Sequence, residues 1–221
     1  MQTVLLRKVI LKMDIIKQLK WRYATKKFDT NKKLSPAKLD TLKQAFNLTA
    51  TSFGLQTIKL VIVENQSLRE SLLVHSYHQR QVTDASHLLV ICIQENVLEH
   101  DVVKYYNNIK DIRNTSEDIL KPYREDLIKT MSKMSVEQRQ QWSKHQAYIA
   151  LGNLMTVCAV ENIDSCPMEG FNALEFDNIL NLQERGLKSV LLLPVGYRAE
   201  DDMFSDFAKV RKPLEEAIIE L

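Results

Sequence analysis

A long amphipathic helix in the second half of the chain is the sequence feature that most limits its fold. It begins with a capping box in which Ser135 is the N-cap and Gln138 follows three residues later. Apolar residues then recur at helical spacing until about Asn162, and they are Ala147, Leu151, Leu154, Met155, Cys158 and Ala159. A stripe this wide is typical of a helix that faces a protein core.

Short apolar runs elsewhere predict buried β-strands, because they are rich in branched aliphatic residues and bounded by polar ones. These runs cover Ile58 to Val63, Leu88 to Ile93 and Leu187 to Val195. Shorter helices are predicted over Asp14 to Tyr23, Pro36 to Asn47 and Ser67 to Tyr77. Strands interspersed with long helices predict an α+β or α/β sandwich.

Two segments are harder to place. The stretch from Leu98 to Met134 shows helical spacing with many charges, and Lys121-Pro122 predicts a break in it. We expect a solvent-facing or mobile excursion there. The last residues, Leu214 to Leu221, follow Pro213 as an apolar-alternating tail, and its pairing partner could lie on either subunit of an oligomer.

Length and charge limit the organisation and the partners of the chain. With 221 residues, 45% of them hydrophobic and no repeat or linker, one domain over residues 13–221 is expected, preceded by an N-terminal extension, residues 1–12. That extension is too short for a membrane span and has no cleavage site, so export is not expected. The net charge of +2 is spread along the chain, which predicts neither nucleic-acid nor membrane binding.

The cysteines and histidines predict no metal site. Cys92, Cys158 and Cys166 lie among apolar residues at spacings that match neither a zinc site nor a disulfide framework. We expect buried thiols and a reducing, cytoplasmic environment. His75 and His78 have no cysteine or carboxylate beside them, and we interpret them as surface histidines.

Nucleotide sites built on glycine loops are excluded, because neither G-x-G-x-x-G nor G-x-x-x-x-G-K-S/T occurs. A bound phosphate would therefore need cationic side chains. Arg22 and Lys26 follow the first helix, and Lys209 and Arg211 are alternate residues that point the same way in an extended segment. Taken alone, a basic pair beside a turn is more often a solvated surface.

Several motifs, in order along the chain, resemble those of the nitroreductase family of flavoproteins. Residues 20–29, KWRYATKKFD, resemble its R-x-S-x-R/K-x-F/Y-D signature, and residues 49–56, TATSFGLQ, are similar to its A/S-P-S-S-x-N-x-Q-P-W loop. Further markers are residues 84–87, 146–153, 166–171, 194–196 and 209–211. The resemblance spans Met13 to Pro213 and is closest to the oxygen-insensitive NAD(P)H nitroreductase and dihydropteridine reductase branch.

The resemblance implies a fold and an assembly. The fold would be a nitroreductase-like three-layer α+β sandwich, with a central, mainly antiparallel sheet flanked by helices. The assembly would be a homodimer with FMN at the subunit interface. Arg22, Lys209 and Arg211 would bind the FMN phosphate, and Lys26 would lie at the pyrimidine edge of the flavin, where its charge favours the anionic reduced ring. Tyr23 and Ala24 belong to the same cofactor-binding motif.

Other site residues are implied from the remaining motifs. Thr51, Ser52 and Gly54 would come from the other subunit. Met168, Glu169 and Gly170 would lie along one flavin face, with the backbone N–H of Glu169 or Gly170 directed at the ring nitrogen that takes the hydride. Gln146 of the long helix is a further cofactor-binding candidate, as are His78 and Gln81, which stand where close relatives have Asn and Lys. Ala24, Gly54 and Ile58 replace the family's usual Ser, Asn and Trp.

The implied function is reduction of nitroaromatics, quinones or related acceptors by NADH or NADPH through FMN, in a ping-pong sequence. No side chain is required as an acid or base, so no catalytic residue is named besides Lys26 as an electrostatic tuner. Candidate stacking surfaces for the acceptor are Tyr105, Tyr106, Tyr123 and Trp142, although core packing suits Trp142 better. The alternatives are a non-enzymatic helical interaction or ligand-binding protein, and a flavin enzyme of the same fold with different chemistry.

Overall fold

The computed structural model of the chain describes residues 14–221, so the predicted extension, residues 1–12, lies outside the described residues. The helices are α1 (Ile15–Trp21), α2 (Pro36–Asn47), α3 (Gln66–Leu73), α4 (Gln81–Asp84), α5 (Glu99–Arg113), α6 (Glu117–Ser132), α7 (Val136–Val160), α8 (Ala173–Ile179) and α9 (Leu214–Ala217). The strands are β1 (Ile58–Val63), β2 (His87–Gln94), β3 (Asp164–Ser165) and β4 (Leu187–Gly196).

The strands form one antiparallel sheet in the order β1-β2-β4-β3. Ile58 of β1 pairs with Ile93 of β2, and Val63 pairs with Leu88, so the two predicted strands lie side by side along their whole length. Between β2 and β4 the register shifts by one residue after Ile91. The prediction of a central antiparallel sheet is confirmed, and it leaves β1 as a long edge strand.

Helices cover both faces of this sheet, because the side chains of β2 alternate between two apolar clusters. Leu89 and Ile91 pack with residues of α2 and α7, including Leu42 and Leu154. Leu88, Val90 and Cys92 face the other way and pack with residues of α3 and α8, including Leu72 and Phe176. The result is the predicted three-layer sandwich with a central strand that is buried on both sides.

Helix α7 confirms the strongest sequence signal. Ser135 Oγ accepts the N–H of Gln138 at 3.2 Å, and Gln138 Oε1 accepts the N–H of Ser135 at 2.8 Å. The apolar stripe, including Ala147 and Leu154, is buried against the sheet. Asn162 has a positive φ of 52° just beyond the helix, which agrees with the predicted end.

The predicted break at Lys121-Pro122 is wrong. The chain turns instead at Asn114, which adopts the left-handed conformation, and Ser116 begins α6 with acidic residues in its first turn. Pro122 lies inside that helix. Asparagine adopts left-handed backbone more readily than most residues, and acidic residues suit a helix N-terminus, so these signals outweigh the one N–H that proline lacks.

The same segment is largely solvent-facing, as expected, with four buried side chains between Leu98 and Met134. Helices α5 and α6 pack on each other through a buried cluster of Val102, Leu127 and Met131. Trp142 packs against that cluster, which confirms a core-packing role for this side chain. Most of the other residues of α5 and α6 are exposed or half-buried, and Tyr123 is among the exposed ones.

The two remaining sequence expectations concern the cysteines and the tail. All three cysteines are buried free thiols, as expected, and burial raises the pKa of Cys92 and Cys158 to about 12. The tail forms one helical turn, α9, and then becomes extended at Ile218. Ile219 and Leu221 are exposed, so the alternating pattern finds no core within the described part of the chain.

Candidate functional site

The cationic side chains predicted to bind phosphate lie together. Arg22, Lys209 and Arg211 line one cavity of about 310 Å³, although they are nearly 190 positions apart in sequence. The other lining residues are Tyr23, Ala24, Lys26, Phe204, Phe207 and Ala208. The structure therefore brings together six of the predicted cofactor-binding residues, from the two ends of the chain.

The cavity has an excess of positive charge. Burial lowers the pKa of Lys209, and the neighbouring charges of Arg22 and Arg211 lower it further. Within residues 14–221, none of these three cations forms an ion pair with a carboxylate. Cations that repel one another and are not paired with a carboxylate favour the binding of an anion.

Local structure explains how the first wall of the cavity is placed. Arg22 is the C-cap of α1, and the chain leaves the helix there in an extended conformation. Ala24 then forms a parallel bridge with Ser165 of β3, and the N–H of Thr25 donates to the carbonyl of Ser165 at 3.2 Å. The first motif thus adds a short strand-like segment to the edge of the sheet.

The second wall of the cavity is formed by the segment from Phe204 to Arg211, and a buried carboxylate, Asp202, connects the two walls. Asp202 Oδ2 accepts hydrogen bonds from the Tyr23 hydroxyl at 2.7 Å and from the backbone N–H groups of Lys26 and Lys27 at 2.9 and 3.1 Å. Its Oδ1 accepts the N–H of Phe204 at 3.3 Å. Burial raises the pKa of Asp202, but these hydrogen bonds lower it more, so the net shift is downward. Burial and the bond to Asp202 raise the pKa of Tyr23.

The loop predicted to follow the flavin face continues from the same sheet edge. Met168 is buried and exchanges two backbone hydrogen bonds with Leu192 of β4. Glu169 accepts the Tyr148 hydroxyl at 2.7 Å, and the carbonyl of Gly170 accepts Gln79 Nε2 at 2.9 Å. Side chains from two other elements therefore hold this loop in place.

The loop of the second motif lies elsewhere in the protomer. Thr51, Ser52 and Gly54 do not line the cationic cavity. Gln146 Oε1 accepts the N–H of Ser52 at 2.8 Å, and Gln146 Nε2 donates to the Trp142 carbonyl at 3.1 Å. Both polar groups of Gln146 are thus used inside the protomer, where they hold the loop.

The remaining two candidates flank the loop at Gly170 without lining the cavity. His78 is exposed with a positive φ of 57°, and it follows Tyr77 in the same left-handed conformation. Gln81 is buried at the start of α4. The helix predicted over Ser67 to Tyr77 is α-helical as far as Leu73, and a 3₁₀ turn over Val74–Ser76 then leads to the left-handed Tyr77.

Gly54 departs from the family motif for a reason that the structure shows. Its φ is +72°, and a Cβ at this position would overlap the hydroxyl of Tyr105 on α5. Glycine adopts this backbone conformation without steric cost and leaves room for the tyrosine. The substitution of glycine for the usual asparagine thus allows α5 to pack closely on the loop.

We expect Gly54→Ala to destabilise the protein by about 2 kcal/mol, because alanine adds both left-handed strain and the overlap with Tyr105. Gly186→Ala is the matched control, since Gly186 has a φ of +61° with no atom within 4 Å of the added Cβ. The free energy of unfolding in urea measures both. If the two variants lose equal stability, the close contact with Tyr105 has no energetic consequence.

Sequence reasoning missed four residues that shape the site. Phe204 and Phe207 line the cavity and contact each other with ring centroids 5.5 Å apart. Asp202 joins the two walls, and Arg198 lies between the rings of Trp21 and Tyr23. The aromatic pair just before Lys209 was the one available signal, whereas the contacts of the two charged residues depend on the tertiary fold.

Two other kinds of feature are absent from the described part of the chain. Among residues 14–221, no group of three or more His, Cys, Asp or Glu side chains is arranged to hold a metal ion. Within the same residues, no helix combines the length and apolar character needed to cross a membrane.

Comparisons with known proteins agree on one family. The nitroreductase family model matches residues 19–197. A relative named "Putative NAD(P)H nitroreductase", from Staphylococcus aureus strain N315, is 31% identical over 202 residues, covering 86% of this chain and 89% of the relative.

Solved structures share the fold. The nitroreductase-like protein of Streptococcus mutans has a TM-score of 0.79 at 22% identity, over 93% of this chain and 97% of that one. A "putative nitroreductase in complex with FMN" from Exiguobacterium sibiricum has a TM-score of 0.83 at 14% identity, over 95% and 98%. The chain therefore belongs to the nitroreductase family.

Proposed function

We propose that this protein is an FMN-dependent oxidoreductase that uses NADH or NADPH to reduce nitroaromatics, quinones or related acceptors. The observation that carries the proposal is the convergence of Arg22, Lys209 and Arg211 on one cavity without a paired carboxylate. Membership in the nitroreductase family favours an enzyme over the non-enzymatic interaction protein. A structural neighbour named as a complex with FMN supports the choice of cofactor.

The donor set fits FMN in two ways. Arginine and lysine side chains are well suited to a phosphate monoester when no glycine loop is present. In addition, the N–H groups of Glu169 and Gly170 donate to no acceptor within residues 14–221. Both residues are exposed, so these backbone donors are available to the acceptor atoms of a flavin ring.

Each part of the site then has a separate task. When bound, FMN would supply the chemistry of hydride transfer between NAD(P)H and the acceptor. Arg22, Lys209 and Arg211 hold the phosphate, and Lys26, which is exposed in the same cavity, places a positive charge beside the pyrimidine edge. The loop at Met168 to Gly170 would contact the flavin ring, as the family resemblance implies.

The proposed enzyme is a homodimer. In one protomer the loop at Thr51 to Gly54 lies outside the cationic cavity, so its predicted contact with flavin requires a second subunit. The tail beyond Pro213 is exposed. Among residues 14–221 no strand pairs with the outer edge of β1, which borders a groove of about 820 Å³ whose lining includes Leu68 and Leu182. We propose that the extended tail of each protomer pairs with β1 of its partner.

The direct test is spectroscopic. Purified protein loaded with FMN is titrated with NADH or NADPH without oxygen, and we expect the flavin absorbance to bleach. Addition of a nitroaromatic or a quinone then restores the oxidised spectrum. A protein that binds no FMN after incubation with excess cofactor would contradict the proposal, and a bleached flavin that none of these acceptors reoxidises would contradict the acceptor class.

A further inference from the structure

Asp202 is an acidic residue inside a cationic site. It is only 3% exposed, and its carboxylate accepts four hydrogen bonds. Three of the donors belong to Tyr23, Lys26 and Phe204, which all line the cavity. One carboxylate thus touches both walls of the proposed phosphate site.

The charge of Asp202 is unfavourable for that site when considered alone. A carboxylate near a phosphate weakens phosphate binding by Coulomb repulsion, and its own burial has a further cost. The acid is instead explained by its contacts, because a carboxylate only accepts hydrogen bonds and here it satisfies donors from two distant segments. A neutral side chain of the same shape cannot accept at both oxygens.

We propose that Asp202 is a positioning residue for the FMN phosphate. Its negative charge opposes phosphate binding, but its hydrogen bonds place the cationic side chains that bind the phosphate. It holds residues 22–27 against the segment that begins at Met203, so that Arg22 faces Lys209 and Arg211 across the cavity. The inference rests on the proposed function, since it concerns the same FMN site.

A second interaction fixes the same wall from the other side. The Arg198 guanidinium lies 4.4 Å from the ring centroid of Trp21 and 4.5 Å from that of Tyr23. Arg198 Nε donates to Asp164 Oδ1 at 2.8 Å, and the backbone N–H of Arg198 donates to Asp164 Oδ2 at 2.9 Å. Tyr23 is therefore held at its ring by Arg198 and at its hydroxyl by Asp202, which limits how far this wall can move.

The experiment compares FMN with riboflavin, which lacks the phosphate, by fluorescence titration of the full chain. We expect Asp202→Asn to weaken FMN binding about tenfold or more, because the amide places an N–H donor against one of the donors that the carboxylate accepted. Riboflavin binding stays within about twofold, since only the phosphate contacts are displaced.

Asp201→Asn is the matched control. Asp201 is the neighbouring acid, it is exposed, and it pairs with the Lys27 side chain outside the cavity. The two variants remove the same charge from the same segment, but only Asp202→Asn disturbs the cavity walls. Electrostatics alone predicts that both variants bind FMN more tightly, whereas positioning predicts a loss in Asp202→Asn only.

Three results would overturn the inference. FMN binding in Asp202→Asn that equals or exceeds that of the parent would remove the positioning role, and equal losses for FMN and riboflavin would indicate general structural damage. If the parent protein binds no FMN, the proposed function itself is overturned. This outcome is distinguished from the other two because it is seen without any substitution. If Asp202→Asn does not fold, Tyr23→Phe removes one of the four hydrogen bonds, and a selective loss of FMN affinity is again expected.

Discussion

Replacing Lys209 and Arg211 together by glutamine lowers the affinity for FMN on the order of 100-fold or more, with little change in riboflavin affinity. Each charge-assisted hydrogen bond to phosphate contributes about 1.5–3 kcal/mol, and two of them correspond to at least about two orders of magnitude in the dissociation constant. Both side chains line the cavity, and neither belongs to the hydrophobic core. The fold should therefore be retained, and isothermal titration with each flavin measures the loss.

The control variant carries Lys129→Gln and Lys212→Gln. It removes the same net charge from two exposed lysines, one of them adjacent to Arg211, and neither lines the cavity. We expect it to bind FMN within about twofold of the parent, since long-range charge is screened by salt. If both double variants bind FMN as the parent does, the phosphate lies elsewhere.

Elements with strong local signals could be predicted from sequence almost residue by residue. Ser35 is the N-cap of α2, with Pro36 at its first position, and the capping box at Ser135 begins α7 as predicted. Strand β1 has the predicted limits of Ile58 and Val63. In each case a few neighbouring residues specify the start or the limits of the element, and the tertiary contacts agree with them.

Predictions failed where the outcome depended on packing. Pro122 predicted a break, yet the contact of α6 with α5 through Leu127 and Val102 stabilises a helix that includes it. The pattern over Leu214 to Leu221 predicts an apolar-alternating tail, but α9 forms a helical turn before the chain becomes extended. Weak local preferences of this kind are decided by neighbours that the sequence alone does not identify.

The candidate site shows the same division. The basic residues could be found by motif, but their convergence depends on the bridge from Ala24 to Ser165 and on the hydrogen bonds of Asp202. Residues whose importance lies in such contacts have no signature of their own. Gln146 illustrates this point, because its motif gives no sign that it accepts the N–H of Ser52, while its predicted contact with the cofactor stays a prediction.

Ile219→Asp should convert the dimer to monomers and release FMN. Ile219 is 84% exposed in the protomer, so the variant costs the isolated chain little, but in the proposed assembly it would place a charge in the tail that pairs with β1 of the partner. An edge strand also favours addition of another strand, and within residues 14–221 the N–H and C=O groups of β1 on that side have no partner strand. Sedimentation equilibrium gives the oligomeric state, and flavin fluorescence after gel filtration gives the bound FMN.

Ile112→Asp provides the comparison that isolates the tail. Ile112 lies near the end of α5 and is 83% exposed, so the two substitutions are matched in residue type and exposure. We expect Ile112→Asp to remain dimeric and to keep its flavin. If the Ile219→Asp variant is still a dimer with full FMN content, the tail pairing is contradicted. The cationic cavity would still be the proposed phosphate site. Loss of FMN in strict proportion to loss of dimer would instead connect the two proposals, because it requires that the loop at Thr51 to Gly54 of one subunit complete the site of the other.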